Sequence, residues 1–215
     1  MKNRSEHAMP EKAGSSRIFF YRRPFGYALL ILILVAHLGG CAGVHGNPPG
    51  GPDPEGLSPG LRVLYFYGKY RSVHELPDGD AALLEKGRPG EPIPVIDHQF
   101  GQDEVFGSGR NLGVGVQMKG YILLEKPGRY EFQALSNDGV EVKIDGQKVV
   151  SDPGVHSDRL SDIGGVTVEK PGWHPLMVKY FQRKGTAALK FYWKAPGKDG
   201  FEVVPAKAYG HMANN

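Results

Sequence analysis

The stretch Lys119–Gly146, KGYILLEKPGRYEFQALSNDGVEVKIDG, decides how the chain folds. In its last third, Val140, Val142 and Ile144 alternate with Glu141, Lys143 and Asp145. Successive side chains of a strand point to opposite faces, so the alternation predicts a half-buried strand over 139–145. Asp145-Gly146 is the two-residue turn that suits the twist of a β-hairpin, and Lys148-Val149-Val150 reads as the returning strand. Upstream, Val114–Leu124 and Arg129–Leu135 are rich in β-branched and aromatic residues and flank the turn Glu125-Lys126-Pro127-Gly128.

Outward from this centre the pattern repeats. Strands are predicted at Leu61–Tyr67 (LRVLYFY), Val166–Val168, Leu176–Phe181, Leu189–Trp193 and Phe201–Val204, with Lys170-Pro171-Gly172 and Lys184-Gly185 as breaks. Short strands punctuated by turn residues about every 8–12 positions predict an all-β, antiparallel sandwich or barrel. The single helical hint is Ala81–Lys86, one or two turns.

The N-terminus has a different character. Arg17, Arg22 and Arg23 precede an apolar run from Ala28 to Ala36, then Gly39-Gly40-Cys41. Basic, apolar and small residues in that order are those of an export signal, and the run is shorter than the ~20 residues that span a bilayer as a helix. Leu38-Gly39-Gly40-Cys41 resembles the bacterial lipobox, which implies cleavage before Cys41 and lipidation of its sulfur. The alternative is an uncleaved short anchor. Met1 and Met9 both serve as starts for this reading, and Arg22-Arg23 lacks the flanking residues of a twin-arginine signal. Ala42 after the cysteine implies the outer membrane if the cell is diderm, and otherwise the cell envelope generally. Residues 1–40 are thus read as signal, and 41–59, where Pro and Gly dominate, as a tether with no hydrophobic period. The β domain is expected over 60–210.

The charge balance narrows the partners. The whole chain carries 26 Lys and Arg against 23 Asp and Glu, but from Cys41 onward 20 basic residues face 21 acidic ones. No basic excess remains to neutralise phosphates, which argues against nucleic acid. One cysteine excludes an internal disulfide and, if lipidated, thiol catalysis. The eight histidines form no H-E-x-x-H pair, no G-x-S-x-G elbow occurs, and Gly113-Val114-Gly115 lacks the third glycine of a dinucleotide loop.

Lys119–Gly146 also resembles the heart of the protective-antigen (PA-fourteen) domain family. The residues that carry the likeness are Gly120-Tyr121, Pro127-Gly128, Tyr130 and Phe132, Ser136-Asn137-Asp138-Gly139 and Asp145-Gly146. Lys170–Phe181, Ala188–Trp193 and Gly60–Phe66 resemble its later and first strands, so the likeness covers about 60–208. The resemblance implies a barrel of two packed antiparallel sheets. It also implies a site: in the carbohydrate-binding members, two adjacent aspartates joined by a cis peptide bind Ca²⁺, and the ion holds sugar hydroxyls. The matching positions are Asn137 and Asp138, where Asn137 offers an amide oxygen but no charge. Without an ion, Asn137-Asp138-Gly139 is simply a turn, since all three residue types favour turns.

The loop Ser151–Gly165 adds Asp152, His156, Asp158 and Asp162, polar residues free of β pattern. Loops on a rigid scaffold commonly carry binding; the alternative is a solvated connection. Asp152, His156, Asp158 and Trp173 are the candidate ligand-binding residues, with Trp173 at a turn and Trp193 expected in the core. Two functions follow. One is a membrane-anchored binding module for a glycan, with Ca²⁺ as the candidate ion. The other is a structural or protein-interaction module of the envelope, binding neither sugar nor metal. An enzyme is not expected.

Overall fold

The computed structural model describes residues 56–77 and 86–213. Cys41, the signal, most of the tether and the Ala81–Lys86 hint lie outside the described residues, apart from Lys86. The described strands are, in chain order, β1 (Leu57–Pro59), β2 (Leu61–Tyr67), β3 (Arg88–Ile93), β4 (Asp97–Gly101), β5 (Val114–Leu124), β6 (Gly128–Asn137), β7 (Val140–Ile144), β8 (Gln147–Asp152), β9 (Arg159–Leu160), β10 (Gly164–Val168), β11 (Gly172–Gln182), β12 (Ala187–Lys194), β13 (Glu202–Val203) and β14 (Tyr209–Met212). Short 3-10 turns occur at Val73–Glu75 and Ala206–Ala208.

The strands form two antiparallel sheets. One runs β1-β14-β5-β11-β7-β8, with β2 and then β3 joined to the free stretch of β5; the other runs β10-β6-β12-β13, with β9 on β6 and β4 on β12. The expected all-β sandwich is thus the observed architecture. The hairpin between β7 and β8 turns at Asp145 and Gly146 with φ of 51° and 76°, the two positive values that a type I′ turn requires.

The core lies between the sheets and follows the period of two. On β6, Tyr130, Phe132 and Ala134 point inward; on β5, Val114, Val116, Met118, Ile122 and Leu124 do so. Trp193 is 8% exposed and its ring lies 5.8 Å from that of Tyr130, so it is a core residue. Glu141 departs from simple alternation. It sits on the outer face, yet Lys143 at 3.3 Å and Lys148 at 2.8 Å cover it, and only 4% of its side chain is exposed.

The domain starts earlier and ends later than the sequence suggests. Leu57, Ser58 and Pro59 of β1 pair with Met212, His211 and Gly210 of β14, so residues assigned to the tether belong to the sheet. The short strand carries no periodic signal of its own; a pairing partner 151 to 155 residues away creates it. Because the described core residues all fall within 61–209 and β1 closes on β14, a fragment beginning at Gly56 keeps every described core residue and is expected to fold by itself.

Candidate functional site

The site lies at one end of the sandwich, where three connections meet. The first is the turn after β6. Asn137 and Asp138 are 6% and 2% exposed, and the peptide between them is cis. Gly139 is required here, because a Cβ at this position would come within 2.6 Å of the Pro153 carbonyl. Only glycine lets the following loop lie against the turn.

The second connection is the β11–β12 turn. The Asp138 N–H donates to the Phe181 carbonyl and the Phe181 N–H to the Gly139 carbonyl, both at 3.1 Å. The Arg183 N–H donates to the Asp138 carboxylate at 2.8 Å. Tyr180 donates its hydroxyl to the Asn137 carbonyl at 2.6 Å. Burial, then the charge of Asp138, raises the Tyr180 phenol well above its usual range, so it remains a donor. Gln182, fully buried, holds the turn by donating to the carbonyls of Gly185 and Thr186 at 3.0 and 3.3 Å.

The third is the segment between β8 and β10. Asn137 Nδ2 donates to Asp158 Oδ1 at 2.8 Å and to Thr186 Oγ1 at 3.2 Å. Gln99 Nε2, from β4, donates to the other Asp158 oxygen at 2.6 Å. Asp158 is itself exposed. These hydrogen bonds, led by that of Asn137, hold its carboxyl below its ordinary value despite partial burial. A charged group in solvent reach is thereby fixed to Asn137, the residue before buried Asp138.

Asp138 has the opposite electrostatics. Burial pushes its carboxyl up, and the backbone N–H groups of Arg183 and His156 offset only part of that rise. A buried carboxylate held by neutral donors favours either a proton or a cation.

The sequence candidates separate on this geometry. Asn137, Asp138 and Asp158 come together. Asp152 lies one step back, where its carboxylate takes both Arg159 Nε at 2.8 Å and Arg159 Nη2. That pairing, above all, lowers its carboxyl from the ordinary value. His156 places its ring beside Asp152, Nε2 3.2 Å from Oδ2, with 4% of the side chain exposed. Both shape the loop from beneath. Trp173 does not join them. It pairs with Leu123 near the start of β11, eight residues or about 25 Å from Phe181 along an extended strand. Its apparent turn position is the second residue of a long strand. Gln99, Tyr180, Gln182 and Thr186 were not candidates, because only strand register brings them here: Ala188 is paired with Gln99 on one side and Asn137 on the other.

The donor chemistry suits a hard cation. Ca²⁺ takes six to eight oxygen ligands at about 2.3–2.6 Å, and Asp138, Asp158 and the Asn137 amide are oxygen donors on adjoining loops. Among the described residues no group of three or more His, Cys, Asp or Glu converges. The remaining ligands would therefore be amide or carbonyl oxygens, water or a bound molecule.

Fold and site together define a β-sandwich module with polar loops gathered at one end. The sequence signature of the PA14 domain covers residues 61–207, and the chain belongs to the PA14 domain family. Solved structures share the fold. The PA14 domain of the MpAFP antifreeze protein is 17% identical, with a TM-score of 0.60 over 78% of this chain and 97% of its own. The A domain of epithelial adhesin 9 from Candida glabrata, solved in complex with Galb1-3GlcNAc, is 10% identical, with a TM-score of 0.57 over 77% of this chain and 95% of its own. An anti-sigma factor domain-containing protein from Clostridium clariflavum is 19% identical, with a TM-score of 0.59 over 74% of this chain; this chain spans about half of that neighbour, 49%. No curated protein matches the sequence.

Proposed function

We propose that the protein is an envelope lipoprotein, anchored through Cys41, whose PA14 domain binds a glycan at the end carrying Asn137, Asp138 and Asp158. It is a binding module rather than an enzyme. The observation that carries this reading is the Asp158 carboxylate, held toward solvent by the amides of Gln99 and of Asn137, the residue that precedes buried Asp138. An oriented carboxylate ringed by amides is a hydrogen-bonding surface for sugar hydroxyls. Val155 and Leu160, 46% and 53% exposed in the same loop, add apolar surface of the kind a pyranose ring covers. That structural neighbours include an adhesin solved with a disaccharide lends further support. When bound, Ca²⁺ would be held by Asp138, Asp158 and the Asn137 amide oxygen, and it would supply charge neutralisation and open positions for hydroxyls.

Two experiments test the two halves. Screening the fragment from Gly56 onward against immobilised glycans should give retention on a defined subset. Asp158→Asn, which keeps the shape and removes the charge, should weaken that retention at least tenfold, equivalent to about 1.4 kcal/mol. Retention on no glycan, or unchanged retention in the variant, contradicts the proposed site. For the anchor, Cys41→Ser should abolish fatty-acid labelling and release the protein from membranes. A variant that stays membrane-bound and correctly processed contradicts it.

A further inference from the structure

A second surface lies on the outer face of the larger sheet, outside the Asn137–Asp158 site. A groove of about 420 Å³ crosses the strands there, with Tyr121, Pro175, Met177 and Met212 among its apolar walls and Arg62, Lys119 and Lys143 among its cations. The cations follow from register. Arg62 of β2 lies opposite Lys119 of β5, Lys119 opposite Met177 of β11, Met177 opposite Lys143 of β7, and Lys143 opposite Lys148 of β8. One transverse row thus carries four cations, and Glu141 pairs with two of them, Lys143 and Lys148. Like charges set directly opposite each other disfavour strand pairing, and within this row Glu141 offsets that for Lys143 and Lys148. The row runs against an exported chain in which acidic and basic residues nearly balance.

The position of the groove indicates what it meets. Met212, 46% exposed, forms part of its wall and pairs with Leu57, where the chain enters the domain. The face that bears the cations therefore borders the point where the chain enters the domain. The groove lies toward the Gly146 hairpin, and Met177 is four residues, about 13 Å, from Phe181 along β11.

We propose that this face docks on a bilayer containing anionic lipid headgroups, with the basic row against the headgroups and Tyr121, Met177 and Met212 against the interface. Apolar side chains and cations together give peripheral membrane binding that neither gives alone. In this orientation the Asn137–Asp158 end lies to the side of the contact rather than within it. The placement draws on the anchored reading of the chain, but the test does not: the fragment from Gly56 onward carries no lipid, so vesicle binding reports on the face alone.

The test is flotation of that fragment with phosphatidylglycerol-containing vesicles and with pure phosphatidylcholine vesicles. Binding to the anionic vesicles only, stripped by high salt, is expected. Arg62→Gln combined with Lys119→Gln should weaken it roughly 30-fold, as expected for two cations near an anionic surface, with the melting temperature checked in parallel. Asp158→Asn should leave it unchanged. The salt dependence of the unaltered fragment needs no variant to fold. Absence of binding, salt-insensitive binding, or equal binding to phosphatidylcholine overturns the proposal. So does retention on a soluble sulfated dextran without vesicle binding, which would make the face a site for anionic polymers instead.

Discussion

Phe132→Ala lowers the melting temperature of the domain by roughly 6–20 °C, the equivalent of about 3–5 kcal/mol. Phe132 is fully buried in the middle of β6, its ring 5.5 Å from Phe191 and 6.3 Å from Tyr130. The cavity cannot collapse easily. Across β10 its partner is Gly164, which has no side chain to lean in and whose backbone already packs against Val149. On the other side, Trp193 is fixed by its indole N–H donating to Glu202 at 3.1 Å. Total stability of a domain is only ~5–15 kcal/mol, so the loss is a large share of it. Leu160→Ala, at a position 53% exposed, is the control and should stay within about 0.5 kcal/mol. Thermal denaturation of both variants checks this, and equal melting of Phe132→Ala and the unaltered domain would remove Phe132 from the core.

Asn137→Asp should reverse the order of stability with the ion present. Its amide nitrogen lies 2.8 Å from an Asp158 oxygen, so the substitution sets two carboxylates against each other. In chelator the variant melts below the unaltered domain. In excess calcium the added charge strengthens the site, and the variant melts above it. An ion at a hundred times its dissociation constant stabilises the folded state by about 2.7 kcal/mol, several degrees for a domain of this size. Asp138→Asn acts oppositely. It removes a buried charge whose carboxyl burial already pushes up, so it costs little in chelator and abolishes the calcium response. If neither substitution changes the response to calcium, the Asn137 and Gln99 amides serve only to clip Asp158 to the sheet and no ion is held there.

The legible part of the fold was where one strand carries its own signal. The alternation of 140–145, the Asp145-Gly146 turn and the aromatic runs of β2, β5, β6, β11 and β12 are all local. The strands that escaped are made by their neighbours. β3 (RPGEPI) holds two prolines and is tolerated because it pairs with β2 alone, as an edge. β4 (DHQFG) shows no period and exists through its pairing with β12. β1 and β14 define each other. The site divides the same way. Asn137 and Asp138 were found because the motif is contiguous, and Asp158 because polar residues in a long loop stand out. Gln99 and Thr186 carry no sequence signal; sheet register delivers them. Trp173 was read as a turn residue because Pro171-Gly172 precedes it, whereas Gly172 is already the first residue of an eleven-residue strand.

Glycan binding at the Asn137–Asp138–Asp158 end is measured by calorimetric titration. The fragment from Gly56 onward is titrated with a panel of soluble glycans, in calcium and in chelator. At least one glycan should give a heat of binding, lost in both Asp138→Asn and Asp158→Asn while each variant keeps its fold. No heat from any glycan in either buffer, together with none from Asn137→Asp in calcium, would contradict it and leave the domain as a structural or protein-binding module.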